Sequence, residues 1–289
     1  LPFEPPHFSP GATVGGMVAA GLSGPARASV GAVRDYVLGV SLINGKAEPL
    51  TFGGQVMKNV AGYDVSRLMA GAWGTLGLLT EVSLKVLPVA PAEATLRFEC
   101  NQADALRKLH AWGGQPLPLN ASCWVQDGGV GTLYVRLRGA VAAVQAACKT
   151  MGGTLLDNAT TAPDWSACRD HTLPWFTQRA QQPDLALWRL SLPATAPVLP
   201  LPAAAQPLVE WHGALRWVQA PASAGDALRA AAEAVGGSAS VFVAASAYPE
   251  SASDQFDPKS AALAKIHARV KQAFDPAGIF NPGRLAAAW

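Results

Sequence analysis

Gly71-Ala72-Trp73-Gly74-Thr75-Leu76-Gly77-Leu78-Leu79-Thr80-Glu81 sets three glycines at a spacing of three and then runs into a strand-like stretch, Leu79–Val86. A glycine offers backbone without a Cβ in the way, so a run of this kind serves either a tight entry to a buried strand or a backbone surface for a planar or anionic ligand. Upstream, Gly11-Ala12-Thr13-Val14-Gly15-Gly16 followed by Gly21 and Ser23-Gly24-Pro25 carries the same two readings. A threonine hydroxyl in that position can donate to a phosphate or a ring oxygen. Neither stretch is a G-x-G-x-x-G following a strand, and no Walker A sequence occurs. Between them, Val37–Asn44 is apolar and β-branched, Asn44-Gly45 marks a hairpin, and Glu48–Phe52 is the returning strand. Residues 1 to about 88 contain no long amphipathic pattern. Pro88-Val89-Ala90-Pro91 then breaks the chain into a second domain.

That second domain reads as strand Ala94–Cys100, helix Ala103–Trp112, strands Ser122–Gln126 and Thr132–Arg138 around a Gly128-Gly129 turn, helix Ala140–Met151 and strand Thr154–Leu156. The order is βαββαβ, a ferredoxin-like plan. A second block follows: strand Leu185–Leu192, a proline-rich linker, strands near Glu210 and over Leu215–Gln219, helix Gly225–Val235 and strand Ser240–Ala244. A helix from about Pro258 to Phe274 precedes a closing turn, and the two α+β blocks are candidates for a loose relationship. The fold class is α+β.

The chain has 289 residues, enough for about two domains. Half are hydrophobic and 15% are charged, which excludes a disordered chain. A net charge of +2 with no basic run excludes an electrostatic case for nucleic acid. The charge-free stretch Leu190–Val209 holds five prolines and is no membrane span. Cys100, Cys123, Cys148 and Cys168 are scattered, with no C-x-x-C pair, so metal centres are not expected. The thiols fit a reducing compartment. The opening LPFEPPHFSP has neither a basic nor an apolar leader region, and the expectation is a chain cut at its N-terminus.

Lys58-Asn59-Val60-Ala61-Gly62-Tyr63-Asp64, Gly71 to Val86, GATVGG upstream and the closing Asn281-Pro282-Gly283-Arg284 together resemble the flavin-binding domain of the FAD-linked oxidase superfamily of the vanillyl-alcohol oxidase type. SGPARASVGAVRDYVLGV and GGQVMKNVAGYDVSRLMAGAWGTLG are most similar to the FAD-binding subunits of bacterial glycolate oxidases. The resemblance implies FAD as cofactor. It implies residues 1–90 as the later part of an FAD-binding domain, 91–245 as an α+β cap or substrate domain, and 246–289 as a helix and tail returning to the first domain. It implies cofactor contacts at Gly11, Ala12, Thr13, Gly15, Gly16, Gly21, Ser23, Gly31, Gly74, Leu78 and Leu79. Asn281 and Arg284 either return near the flavin or anchor the tail. The implied partners are a larger related flavoprotein subunit, an iron–sulfur subunit and a small 2-hydroxy acid. The implied location is cytoplasmic, or peripheral at the inner membrane through partner subunits.

Two departures from the family pattern stand out. The family's pyrophosphate loop, and the histidine that some relatives use for covalent flavin attachment, would precede Leu1. The cap-domain His-x-Gly-Asp-Gly-Asn segment of hydroxy-acid dehydrogenases has no counterpart, so no catalytic base is assigned. In Glu210-Trp211-His212-Gly213-Ala214-Leu215-Arg216-Trp217, the tryptophans read as core. Arg216 is either structural or a ligand for a flavin or a substrate carboxylate. His110 reads as surface, His171 near Cys168 as packing, and Lys265–Lys271 with His267 as a solvated face. Arg34-Asp35 reads as an ion pair. The expected function is the FAD-carrying subunit of a 2-hydroxy-acid (glycolate) oxidase or dehydrogenase, passing electrons to a partner. The alternatives are a non-catalytic assembly subunit and a self-sufficient flavin oxidase for another alcohol. Nine tryptophans and the proline-rich linker point to an exposed docking surface.

Overall fold

The computed structural model describes residues 1–54, 63–202, 205–246 and 260–286. In chain order these form α1 (Val14–Ala20), α2 (Arg27–Val30), β1 (Val37–Ile43), β2 (Pro49–Gly53), α3 (Val65–Met69), β3 (Leu78–Leu84), β4 (Ala92–Glu99), α4 (Gln102–Gly113), β5 (Leu119–Asp127), β6 (Val130–Gly139), α5 (Val141–Met151) and β7 (Thr154–Leu156). They continue with α6 (Asn158–Asp170), α7 (Pro174–Thr177), β8 (Leu185–Ser191), β9 (Leu208–Glu210), β10 (Leu215–Pro221), α8 (Gly225–Glu233), β11 (Ser238–Val243) and α9 (Ala261–Phe274). The Lys58–Gly62 part of the quoted motif and the expected helix start at Pro258 lie outside the described residues. No described helix is long and apolar enough to cross a membrane.

Two compact units result. Leu1–Ser23, Gly31–Leu87 and Glu250–Trp289 form the first; Gly24–Val30 and Pro88–Pro249 form the second. The excursion of Gly24–Val30 has no counterpart in the sequence reading, which kept 1–90 whole. Its cause is local: Gly24, Pro25 and Ala26 are buried, and the Trp211 indole N–H donates to the Gly24 carbonyl at 3.0 Å.

The first unit is built on an antiparallel sheet in the order β2-β1-β3. β1 is its centre, with Val37, Val40 and Leu42 buried. The β1–β2 turn closes through Asn44, whose Oδ1 accepts from the N–H of Lys46 and of Glu48 at 2.9 and 3.0 Å. A Cβ at Gly45 would sit 2.3 Å from Asp275 Oδ1, so only glycine lets the tail approach here. The Gly45 N–H donates to the Phe274 carbonyl at 2.8 Å.

The second unit carries one eight-stranded sheet in the order β11-β8-β10-β9-β5-β6-β4-β7. Its two halves repeat one plan. The first half runs β4-α4-β5-β6-α5-β7 and stacks as β7-β4-β6-β5; the second stacks as β11-β8-β10-β9. Their edge strands β5 and β9 pair, Cys123 opposite Glu210, and fuse the halves. Where the first half has α4, the second has the proline-rich stretch after β8, whose Ala196 and Leu199 fill the core in place of a helix. On one face Leu96, Leu133, Val135 and Leu137 pack under α4 and α5. Burying each such side chain contributes roughly 1.5–3 kcal/mol before entropy is counted. On the other face Cys123, Leu187, Leu208 and Trp217 are covered by Trp165, Cys168 and Phe176 of α6 and α7.

Most of the tryptophans expected to face a docking surface are buried instead. Of the eight tryptophans among the described residues, only Trp73 and Trp175 escape full burial. The others are core; in the linker Ala196 and Leu199 are buried, while Pro193–Thr195, Pro197, Val198, Pro200 and Pro202 are exposed.

Candidate functional site

The two glycine-rich segments meet in the first unit. Thr13 caps α1, its Oγ1 accepting from the Gly16 N–H at 3.0 Å; the hydroxyl proton stays available to a ligand. At the other end of α1, Gly21 is left-handed (φ 65°), and a Cβ there would lie 2.7 Å from Gly71 Cα. The Gly71 and Trp73 N–H groups donate to the carbonyls of Val18 and Ala19 at 3.0 and 2.8 Å. Gly74 is also left-handed (φ 66°) and has no room for a Cβ, which would come within 2.8 Å of Asn281 Nδ2.

The tail closes over the same loop. Asn281 Nδ2 donates to the Trp73 carbonyl at 2.8 Å, and the Arg284 guanidinium lies 4.8 Å from the Trp73 ring centroid. Both residues therefore hold the Trp73-Gly74 turn. Below it Lys271 Nζ donates to the Thr75 and Phe280 carbonyls, each at 2.8 Å, and to Asp275 Oδ2 at 2.7 Å. Burial alone would push the Asp275 carboxyl up, but Lys271 and the N–H groups of Phe280 and Ile279 outweigh it and hold it below its ordinary value. Lys271 is a buried anchor, not part of the solvated face expected of Lys265–Lys271.

Ser23 Oγ accepts from the Val33 N–H at 3.2 Å, which ties Ser23 to the turn after Gly31. Gly31 is left-handed (φ 97°), with Asp35 Oδ2 2.9 Å from where a Cβ would stand. Asp35 accepts from the Ala32 N–H at 2.8 Å, and the described contacts contain no Arg34–Asp35 ion pair. Leu78 is 57% exposed and pairs in register with the exposed Ile43, while Leu79 is half-buried. Ala12 and Val14 are exposed beside Thr13.

In the second unit Arg216, read from the sequence as either structural or a ligand, takes the structural role. Its guanidinium is fully buried and donates to the Pro197 and Ala196 carbonyls at 2.6 and 2.8 Å, pinning the proline-rich stretch. Trp211 and Trp217 are core. His171 stacks on Phe176 at 4.4 Å and meets Trp217 edge-on at 4.6 Å. Burial first, then the charge of Arg189, lowers its pKa to about 4, so the ring is neutral. A cavity of about 360 Å³ opens beside Cys123, Tyr134, Trp165 and Cys168; Asp127 and Asp164 line it, and no cation does.

No protein-family model matches the chain. Glycolate oxidase subunit GlcE of Escherichia coli (strain K12) is 44% identical over 288 residues, 99% of this chain and 75% of that protein. The chain belongs to the glycolate oxidase GlcE family. Glycolate oxidase subunit GlcD of Bacillus subtilis (strain 168) is 36% identical over 93 residues, 32% of this chain and 20% of that one. Among solved structures, an alkyldihydroxyacetonephosphate synthase aligns with a TM-score of 0.62 at 14% identity, covering 94% of this chain and 58% of its own; at that identity the likeness speaks for the fold. The FAD-linked oxidoreductase MT2338 of Mycobacterium tuberculosis (strain CDC 1551 / Oshkosh) is 37% identical over 76 residues, 26% of this chain and 17% of that one.

The residues fit a flavin on one internal test. Gly21, Gly31 and Gly74 are glycine because the fold leaves no alternative: left-handed backbone and a neighbour in the way. Gly11 and Gly15 are different. A Cβ on either meets nothing within 4 Å, and neither has a positive φ. Gly54 and Gly113 share that openness, so it does not by itself call for a ligand, but the bare backbone at Gly11 and Gly15 leaves room for one.

Proposed function

We propose that the chain is the FAD-carrying subunit of a 2-hydroxy-acid oxidase or dehydrogenase acting on glycolate. On this reading the first unit is the flavin domain and the second the cap. The observation that carries it is the pair of glycines, Gly11 and Gly15, which the fold leaves open, in a chain whose whole length follows a glycolate oxidase subunit.

FAD, when bound, supplies the two-electron chemistry that no side chain can. The chain's own residues then do the following. Gly11 and Ala12 offer loop backbone and Gly15 and Gly16 the side-chain-free first turn of α1, and Thr13 donates its free hydroxyl proton. Gly21, Ser23 and Gly31 shape the far end of that surface. Leu78 and Leu79 present apolar surface, and Gly74, held by Asn281 and Arg284, sets the loop before them. Partners on this reading are a GlcD-type flavoprotein subunit and an iron–sulfur subunit that take the electrons onward. The location is the cytoplasm, with peripheral attachment to the inner membrane through those partners.

Adding glycolate to the flavin-loaded protein without oxygen tests this: bleaching of the flavin absorbance supports it. A second reading, a flavin-bearing assembly subunit that leaves oxidation to its partner, is favoured by the missing His-x-Gly-Asp-Gly-Asn segment. It predicts no bleaching until the partner subunits are added.

A further inference from the structure

Trp73 stands in left-handed backbone (φ 54°) and hands the chain to Gly74 in the same region (φ 66°). Glycine enters that region freely; a bulky aromatic residue does so at a cost and stays only where its surroundings enforce it. Asn281, on the closing turn, is left-handed too (φ 41°), and asparagine tolerates the region better than most residues. The two positions touch. Asn281 Nδ2 donates to the Trp73 carbonyl at 2.8 Å and fills the space over Gly74 where a Cβ would stand. The Arg284 guanidinium lies over the Trp73 ring, and the Arg284 N–H donates to the Asn281 carbonyl at 3.2 Å, which closes the turn that carries both.

The same loop is tied from its other side. The Gly71 and Trp73 N–H groups donate to the Val18 and Ala19 carbonyls in the last turn of α1, the helix whose first turn holds Gly15 and Gly16. Trp73 is therefore gripped by α1 through its N–H and by the tail through its carbonyl. The first grip is backbone on backbone. The second comes from the side chain of Asn281, which is exposed. Lys271 holds the Thr75 carbonyl, beyond Gly74, and leaves the Trp73 dihedrals to Asn281. Without that side chain Trp73 has less strained backbone to relax into, and Gly74 turns with it.

We propose that Asn281 is a positioning residue for the cofactor: it holds the strained Trp73-Gly74 turn in the shape that FAD takes up, so that closure of the tail and binding of FAD strengthen each other. This rests on the flavin reading of the first unit. Where the binding-competent turn is only a fraction of the population, the apparent Kd rises by the inverse of that fraction. Such coupling is reciprocal: a tail that favours the cofactor is itself tightened by it. A tryptophan in place of glycine at position 73 is what makes the turn depend on the tail, because glycine would hold the same dihedrals unaided.

Titration with FAD, followed by quenching of flavin fluorescence, compares wild type with Asn281→Gly, which keeps a residue at ease in left-handed backbone and removes only the donor. The apparent Kd should rise about fivefold to tenfold, while the melting temperature of the flavin-free protein changes little. Amide hydrogen exchange gives a second readout: exchange at the Trp73 N–H should speed up in flavin-free Asn281→Gly, and FAD should slow exchange at the Arg284 N–H in wild type. Adding Trp73→Gly to Asn281→Gly should recover part of the lost affinity, since glycine adopts the turn without the tail. A tail that merely stabilised the fold would lower the melting temperature, leave the Kd of the folded protein unchanged and show no such recovery; that result overturns the proposal. A wild type that takes up no FAD refutes the flavin reading and this role with it. A wild type that binds FAD no more tightly than Asn281→Gly refutes this role alone.

Discussion

Lys271 Nζ lies 2.7 Å from Asp275 Oδ2, and both side chains are buried. Each partner's remaining capacity is used: Lys271 on the Thr75 and Phe280 carbonyls, Asp275 on the Ile279 and Phe280 N–H groups. The pair couples α9 and the closing turn to the Trp73–Thr75 loop within the first unit.

Removing one partner strands the other. Lys271→Met should destabilise the protein by about 3–5 kcal/mol, because the Asp275 charge stays buried without its counter-ion. Urea denaturation monitored by circular dichroism checks this, and a loss below about 1 kcal/mol would contradict it.

Asp275 also sets an acid limit. Its folded pKa is depressed, so its contribution is present above the unfolded value near 4 and is lost as pH falls through the lower folded value. Melting curves recorded downward from about pH 5 should therefore fall more steeply for wild type than for Asp275→Asn.

Histidines act at milder acidity. Burial lowers the pKa of His171 and of His212 to about 4, against about 6.5 unfolded. Above about pH 6.5 both states are neutral and neither histidine matters; below it the unfolded chain takes up protons that the folded one refuses. Stability should decline from about pH 6.5 toward pH 4, and His171→Phe should flatten part of that decline. A melting temperature constant over this window in wild type would contradict the assignment.

Arg216 is a test of how the linker is held. Arg216→Ala should leave flavin content unchanged while exposing Pro193–Pro202 to limited proteolysis, since the Ala196 and Pro197 carbonyls lose their donors. Resistance equal to wild type would return Arg216 to the list of free ligands.

The strands were legible because alternation is a local signal: Leu133, Val135 and Leu137 point to one core, and Thr132–Arg138 reads as a strand from the sequence alone. Asn44-Gly45 announced its hairpin for the same reason. α6 was not legible, since Thr160, Thr161 and Pro163 interrupt any helical pattern and its buried side is marked only by Thr161, Trp165 and Cys168. Lys271 was hidden inside a basic run, where only the Asp four residues on and the proline after it hinted at an anchor. The glycines were visible, but not their division into those the fold requires and those it does not.

Gly15 decides the central claim, that the glycine wall carries FAD. Gly15 lies in α1 with helical backbone and open space around it, so Gly15→Ala should raise the stability of the flavin-free protein by about 0.5–1 kcal/mol. Gly15→Val should leave a folded protein, yet fill the space where the backbone meets the cofactor. The measurement is the flavin absorbance of purified Gly15→Val beside wild type, with melting curves of both. The account predicts a folded variant that has lost its yellow colour; a variant that retains stoichiometric FAD would contradict it.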